Sequence, residues 1–200
     1  MFQEFRYIRL AEIADVEHLL TPEQLAEPVT LRTPATEAMT DFAEVLPVTV
    51  AETALVDVAL ERMKSQHVRL LFAVNDAGHF TGVITARDIA GSKPLAYAEQ
   101  NGLDRGSVEV RHIMLNKLHL KALTYDQIKD ATIGDVMLTL KGSGDQHVLV
   151  TDVSLADVRR VRGIISASDI SRRLKVGFDV MYEAKSFAEI EKIVAHGGEL

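Results

Sequence analysis

The sequence predicts an α/β fold in which two pseudo-symmetric βαββα units pack as one tandem module, with helical or extended extensions at both ends. The first observation is an internal repeat, because residues 82–89 (GVITARDI) return as residues 163–170 (GIISASDI) with five of eight residues identical. The second is the surrounding sequence, in which the same order of apolar segments precedes both copies. A unit of about 60 residues buries only a modest fraction of its surface alone, so we expect the two units to share one body.

Three short segments in each unit have the pattern of strands. The repeated octapeptide begins on one of them, and an apolar segment precedes it in both copies, at residues 68–74 and 146–150. A shorter extended segment stands at the start of each unit, at residues 47–50 and 118–122. Short aliphatic or β-branched runs bounded by turn residues are typical of buried strands.

An amphipathic helix is predicted between the first and second strands of each unit. Apolar residues three and four positions apart line one face of both helices. They are Val56, Ala59, Leu60 and Met63 in the first unit, and Ile133, Val136, Met137 and Leu140 in the second. A short segment ahead of each unit ends in a methionine, Met39 and Met114, at matching positions.

The repeat divides the chain into five parts. We expect an N-terminal extension at residues 1–35, the first unit at 36–92 and the second unit at 108–175. Residues 93–107 contain proline and glycine and are interpreted as a linker. Residues 176–200 have a helical pattern and are interpreted as a C-terminal helical extension. Both extensions are expected to serve packing or dimerisation.

The composition excludes several classes of protein. The chain has 200 residues and no cysteine, which excludes disulfides, thiolate nucleophiles and cysteine-bound zinc. No apolar stretch approaches the roughly 20 residues that cross a bilayer, and the N-terminus lacks the apolar region of a secretory signal, so we expect a cytoplasmic protein. The histidines lack metal-ligand spacing and no serine lies in a nucleophile elbow, so we predict neither a metal nor catalytic residues.

The charge distribution favours a small anion over a polyanion as a ligand. The net charge is −7, yet residues 155–175 hold six basic side chains against two acidic ones. An acidic chain with few aromatic residues is a poor partner for nucleic acid. A local basic cluster could still bind a phosphate group, although the alternative is a solvated surface.

Two copies of a Gly-hydrophobic-hydrophobic-Thr/Ser-x-x-Asp motif, containing Thr85 and Asp88 or Ser166 and Asp169, stand at a strand-to-helix turn. In this duplicated form the chain resembles the tandem cystathionine-β-synthase (CBS) domain pair over roughly residues 36–174. The resemblance implies two βαββα units with two clefts, a homodimer, and binding of AMP, ADP, ATP or S-adenosylmethionine. It also implies a regulatory module without catalytic activity, here freestanding, that acts on a protein partner.

The motif itself suggests how a nucleoside is recognised. A carboxylate at the start of a helix can accept hydrogen bonds from both hydroxyls of a ribose diol, and Asp88 and Asp169 are the candidates. The hydroxyls of Thr85 and Ser166 would meet the same edge of the ligand. The alternative is that each pair is a helix cap, with the hydroxyl as N-cap and the aspartate in the first turn. The sequence leaves both interpretations open.

Four further residues complete the expected first cleft. We expect the adenine to lie between aliphatic strand residues such as Val50 and Val68. By resemblance, the residue before the second strand faces the phosphates, which points to Arg69. Arg87, inside the motif, could reach the same anion.

The second cleft lacks both of these arginines. We therefore expect the cleft of Thr85 to prefer a phosphorylated ligand and the cleft of Ser166 to be weaker or to take a nucleoside. His147 stands beside the second cleft and could contribute a positive charge when protonated. Arg172 and Arg173 follow Asp169 at helical spacing and are further candidates.

The sequence supports two functions of different kind. A nucleotide-sensing regulatory module accounts for both copies of the motif. A structural or dimerisation adaptor, with vestigial clefts and a surface for a partner protein, is the alternative. The loss of arginines from the second copy keeps that alternative open.

Overall fold

Two four-stranded sheets carry the fold in the computed structural model, which describes residues 29–153 and 157–175. In chain order the strands are β1 (Met39–Asp41), β2 (Thr49–Ala51), β3 (Leu70–Val74), β4 (Phe80–Thr85), β5 (Leu115–Asn116), β6 (Ala122–Thr124), β7 (His147–Val153) and β8 (Arg159–Ser166). The helices are α1 (Val56–Ser65), α2 (Ala86–Ala90), α3 (Lys93–Asn101), α4 (Val110–Ile113), α5 (Tyr125–Lys129), α6 (Ile133–Ser143) and α7 (Ala167–Leu174). Single 3₁₀ turns occur at Ala35–Ala38, Arg105–Ser107 and Lys117–His119.

The predicted βαββα order is confirmed in both halves. The first unit runs β2, α1, β3, β4, α2, and the second runs β6, α6, β7, β8, α7. In each unit the first strand pairs parallel to the second, and the second pairs antiparallel to the third. The second unit differs by one short helix, α5, inserted between β6 and α6.

The segment interpreted as a linker contains a packed helix. Pro94 lies in the first turn of α3, where a missing backbone N–H costs nothing, and Gly102 ends the helix with a left-handed φ of 64°. Ala98 of this helix is buried in the core of the first unit. Proline and glycine therefore mark the two ends of a helix within this connecting segment.

The extensions are only partly described. The predicted C-terminal helical extension at residues 176–200 lies outside the described residues, as does most of the N-terminal one. Of the latter, Leu31 and Ala35 are described and are buried in the core of the second unit. Residues 31–35 thus pack on the unit that follows later in the sequence.

Each sheet borrows one short strand from the other half of the chain. The strand order is β1-β8-β7-β6 in one sheet and β2-β3-β4-β5 in the other. Strand β1, which precedes β2 in the first half of the chain, pairs antiparallel to β8, and β5, which precedes β6 in the second half, pairs antiparallel to β4. The two units are therefore interlocked, and neither sheet is complete without the other.

The borrowed strands explain why the repeated motif begins with glycine. A Cβ atom on Gly82 would lie 2.5 Å from the carbonyl oxygen of Leu115, and a Cβ on Gly163 would lie 2.7 Å from that of Thr40. No side chain fits at such a distance without a shift of the backbone. The repeated glycine is thus required by the close approach of the neighbouring strand.

Three hydrophobic clusters fill the described body. One lies under each sheet against its helices, and it includes the predicted helix faces, in which Val56, Ala59, Met63, Ile133, Val136, Met137 and Leu140 are buried. The third joins the sheets and contains Leu70, Phe72, Val83 and Leu149. Phe42, next to β1, packs edge-on against Phe72 with 5.2 Å between ring centroids. The two units therefore pack together through the third cluster, as expected from the repeat.

Arg162 on β8 fastens β1 and α5 to the second sheet. Its guanidinium group lies 3.1 Å from Asp41 and 3.2 Å from Asp152, and it stacks 3.6 Å from the ring centroid of Tyr125. Burial raises the pKa of Asp41, but hydrogen bonds from Arg162 and the backbone of Ala43 outweigh burial and hold the pKa below its ordinary value. The cluster holds β1 in place, and β1 forms one wall of the cleft described next.

Candidate ligand-binding site

A cleft of about 600 Å³ lies between the two units. Its volume is in the range of small-molecule pockets, which span roughly 300–1,000 Å³. Its apolar side comes from the first part of the chain and includes Phe42, Leu46, Pro47, Val48 and Val68. The loop between β1 and β2 supplies the rim, where Leu46 is 91% exposed.

The polar side of the cleft carries the second copy of the motif. Ser166 ends β8, and Asp169 lies in the first turn of α7. Arg172 follows one turn later on α7, and His147 pairs with Ser166 across the β7–β8 ladder. Arg69, just before β3, reaches the same cleft from the first unit. With Thr40, His67 and Ser168, the cleft lining contains one carboxylate, two guanidinium groups, two imidazoles and three hydroxyl groups.

Ser166 and Asp169 do not form a helix cap. The Ser166 hydroxyl, on a residue only 8% exposed, forms a 2.7 Å hydrogen bond with the hydroxyl of Ser168, and its side chain accepts no bond from the start of α7. The Asp169 carboxylate accepts a hydrogen bond from Arg172 instead. In this copy the motif faces a cleft, which favours the ligand interpretation over the capping interpretation.

Thr85 and Asp88 in the first copy do form a capping box. The Asp88 carboxylate accepts from the Thr85 hydroxyl at 2.6 Å and from the Thr85 backbone N–H at 3.0 Å, and the Asp88 backbone N–H donates to the Thr85 hydroxyl at 3.2 Å. Lys93 donates to the other carboxylate oxygen at 2.6 Å. Burial raises the pKa of Asp88, but the hydrogen bonds from Lys93 and Thr85 outweigh it, so the pKa lies below 3.8. The capping interpretation describes this copy.

We expect Asp88→Asn to destabilise the protein by about 1 kcal/mol near neutral pH, because a side-chain cap contributes about that much. The pKa of Asp88 is depressed in the folded state, so its contribution is present above the ordinary value of 3.8 and is lost as the pH falls through the folded-state value. Urea denaturation should therefore show a difference from wild type that shrinks in acid. Asp76→Asn, in the exposed β3–β4 turn, is the control, and a difference independent of pH would contradict the account.

Arg69 is not where the sequence suggested. It was assigned to the cleft of Thr85 and Asp88, yet it lines the cleft of Ser166 and Asp169. The Arg69 carbonyl oxygen accepts a bond from the Ala86 N–H, so its main chain does lie beside the first motif. Its charge acts on His147 of the second unit and lowers the pKa of that imidazole, so the side chain lies near the second motif. The second motif therefore acquires the arginine that its own half of the sequence lacks.

The other expected contacts divide between the cleft and the core. Val68 was expected in the cleft of Thr85 but, like Arg69, it lines the cleft of Ser166, and Val48 lines it too. Val50 is not among the residues that line this cleft, because it is buried with 5% exposure in the core of the first unit. Arg87 is exposed on α2, and neither it, Thr85 nor Asp88 is among the residues that line this cleft.

His147 lies in the cleft, but its environment opposes a positive charge. Burial lowers the pKa of His147 below 6.5; nearby Asp169 raises the pKa and Arg69 lowers it, and the net shift is downward. The imidazole is therefore mainly neutral at neutral pH, whereas the sequence suggested a possible cation. A neutral imidazole can still donate or accept one hydrogen bond at the ligand.

We expect replacement of His147 by leucine, the residue at the equivalent position 70, to reduce the loss of stability in acid. The pKa of His147 is lower in the folded chain than in the unfolded chain, so above about pH 6.5 its titration does not reduce the free energy of unfolding. Below that pH the unfolded chain takes up a proton more readily than the folded chain, and the free energy of unfolding falls. Urea denaturation at about pH 7.5 and about pH 5 should show a smaller decline for His147→Leu than for wild type. The exposed His79→Leu should decline as wild type does, and an equal decline in both variants would contradict the burial of His147.

Sequence reasoning missed the residues supplied by β1 and by the turn after α1. Thr40 and Phe42 reach the cleft because β1 crosses to the second sheet, a pairing between residues more than a hundred positions apart. His67, with a left-handed φ of 54°, turns the chain out of α1 at the cleft edge. The matching positions of Met39 and Met114 were the available signal, since Met39 begins β1 and Met114 directly precedes β5.

Within the described ranges, no cluster of three or more histidine or acidic side chains could hold a metal ion. Across the same residues, every helix is too short or too polar to cross a membrane.

Comparison with known proteins concerns the first unit and the fold. Residues 35–93 match the family model of the CBS domain. An uncharacterized conserved protein from Pyrococcus horikoshii is similar in structure, with a TM-score of 0.51 and 21% identity over 72% of this chain and 93% of that one. A CBS-domain containing protein from Agrobacterium tumefaciens has a TM-score of 0.47 and 19% identity over 64% of this chain and 83% of that one. The protein CBSX2, crystallised in complex with AMP, has a TM-score of 0.47 and 16% identity over 70% and 94% of the respective chains. No curated protein matches the sequence.

Proposed function

Because the chain contains a CBS domain at residues 35–93, within a tandem module whose second half repeats the same topology, we propose that it is a regulatory module that binds an adenosine nucleotide. The observation that carries the proposal is the position of Ser166 and Asp169. They face a cleft of about 600 Å³ and do not cap their own helix.

The ribose is the part of the ligand that the motif recognises. Asp169 lies in the first turn of α7, where the helix dipole stabilises its negative charge. A carboxylate there accepts two charge-assisted hydrogen bonds from a 2′,3′-diol, a geometry that a single hydroxyl cannot complete. The Ser166 hydroxyl, which now bonds with Ser168, can rotate to meet the same edge.

The base and the phosphate fit the remaining walls. The apolar side, with Val48, Val68 and the exposed Leu46 at the rim, offers aliphatic surface to a planar base. Arg69 and Arg172 line the cleft from opposite units and can bind a phosphate as charge-assisted donors. The cleft of the second motif therefore supports binding of a phosphorylated ligand, which the sequence analysis had assigned to the first motif.

The protein signals by binding its ligand and does not catalyse a reaction. The Ser166 hydroxyl is bonded to another hydroxyl, Ser168, and such a pair does not activate a nucleophile. We propose that the protein forms a homodimer in the cytoplasm and that ligand occupancy alters its contact with a regulated protein partner. The alternative function, an adaptor, requires no ligand. It is supported by the capping box of Thr85 and Asp88, because stabilising the start of a helix accounts for both residues without a ligand.

A thermal-shift panel tests the proposal. AMP, ADP, ATP, S-adenosylmethionine and 2′-deoxy-AMP are each added to wild-type protein. A ligand at about 100 times its dissociation constant adds about 2.7 kcal/mol to stability and shifts the melting temperature clearly. We expect a shift with at least one adenosine compound and a much smaller shift with 2′-deoxy-AMP, which lacks the diol. No shift with any compound at millimolar concentration would overturn the proposal in favour of the adaptor.

A further inference from the structure

Asp169 and Arg172 form an ion pair in the cleft, so the charged group of each is occupied by the other. Arg172 donates a hydrogen bond to the Asp169 carboxylate, and the two residues lie one turn apart on α7. The side chain of Asp169 is 39% exposed and that of Arg172 is 77% exposed, so both are within reach of solvent and of a ligand. An exposed ion pair at this spacing contributes little to stability and is readily exchanged.

The same carboxylate is the group that a ribose diol would engage under the proposed function, on which this inference rests. A diol bound to Asp169 therefore competes directly with Arg172. A guanidinium displaced from Asp169 remains tethered to α7 at the cleft, where a phosphate of the same ligand can accept its hydrogen bonds. When a ligand without a phosphate displaces Arg172, the guanidinium group gains no phosphate to bind in place of Asp169.

The charges around the pair favour the exchange. Arg69 adds a second positive group from the first unit, while His147 and Asp169 belong to the second unit. With Asp169 bound to hydroxyl groups, two guanidinium groups face the ligand, and a dianionic phosphate is the matching charge. In the described part of the chain the ion-pair partner of Asp169 is Arg172, so Arg69 can attract an anion without competing with the ribose.

We propose that Arg172 is a specificity-determining residue, which competes with the ribose for Asp169 and binds the ligand phosphate once displaced. It thereby selects nucleotides over nucleosides by two effects of opposite sign. It weakens the binding of adenosine and strengthens the binding of AMP. A residue that merely supports the fold would affect both ligands in the same direction.

Isothermal titration of adenosine and of AMP into Arg172→Gln separates these roles. Removal of a competing exposed ion pair should raise the affinity for adenosine by about twofold. Loss of a charge-assisted hydrogen bond should lower the affinity for AMP by about tenfold or more. Arg69→Gln should weaken AMP binding and leave adenosine binding unchanged, because Arg69 does not compete for Asp169. Arg62→Gln, on the exposed face of α1 and outside the cleft, is the matched control for removing a positive charge.

The outcomes distinguish this inference from the proposed function. If Arg172→Gln raises adenosine affinity and lowers AMP affinity, Arg172 has the selecting role. If wild type binds AMP but the variant weakens both ligands equally, or changes neither, the nucleotide site stands and the selecting role is wrong. If wild type binds neither compound, the proposed function fails and the inference fails with it. Arg172→Lys keeps the charge without the planar fork and should restore only part of the AMP affinity.

Discussion

Gly163→Ala is expected to destabilise the protein by about 2–3 kcal/mol, the cost of overpacking a site whose neighbours cannot move away. The added Cβ would lie 2.7 Å from the Thr40 carbonyl oxygen and 2.7 Å from the Met39 sulfur. The methionine side chain can rotate, but the carbonyl belongs to β1, which is paired to β8 at this point. Relief of the clash requires β1 to move off the sheet. Urea denaturation followed by circular dichroism measures the change.

The same variant should also weaken nucleotide binding, because β1 and the residue after it place Thr40 and Phe42 on the cleft wall. Gly142→Ala is the control, since nothing lies within 4 Å of a Cβ atom at that position of α6. It should raise stability by up to about 1 kcal/mol, because alanine favours a helix over glycine. Equal stability of Gly163→Ala and wild type would contradict the close approach of β1.

Asp169→Asn is expected to lower the affinity for AMP by about 100-fold. Two hydrogen bonds from the ribose diol to a carboxylate become bonds to a neutral amide, and bonds to a charged group contribute about 1.5–3 kcal/mol each. The exposed position of Asp169 and its ion pair with Arg172 predict a change in folding stability of less than about 1 kcal/mol. Isothermal titration calorimetry measures the affinity, and circular dichroism verifies the fold.

Asp88→Asn provides the matched comparison, because it changes the same residue type at the same place in the other copy of the motif. It should lower stability and leave the AMP affinity of the folded protein unchanged. The opposite pattern, with affinity lost in Asp88→Asn and kept in Asp169→Asn, would place the ligand at the first motif. Affinity unchanged in both variants would exclude a role for either aspartate in ligand binding.

The sequence predicted the architecture because the features that determine it are local and occur twice. Residues 82–89 and 163–170 are each the end of a strand and the start of a helix, and the helix faces around Met63 and Met137 follow from spacing alone. Proline and glycine were less informative, since Pro94 lies in the first turn of a helix and Gly102 ends that helix, so neither interrupts it.

The site was predicted only in part, because its composition depends on contacts between distant segments. Thr85 and Ser166 are nearly equivalent in sequence, yet the first is engaged in a capping box that Lys93 reinforces, and the second faces a cleft. Local sequence does not determine which of the two states a motif adopts. Arg69 shows the same limit, since it belongs to the first unit in sequence and lines the cleft of the second motif.

The most direct test of the central claim is a crystal structure of the protein with AMP. We expect the ribose hydroxyls within about 3 Å of the Asp169 carboxylate, the base against Val48 and Val68, and the phosphate at Arg69 and Arg172. Thr85 and Asp88 should keep their capping box. AMP bound instead at Asp88, with its bond to Lys93 broken and the cleft of Asp169 unchanged, would contradict the account.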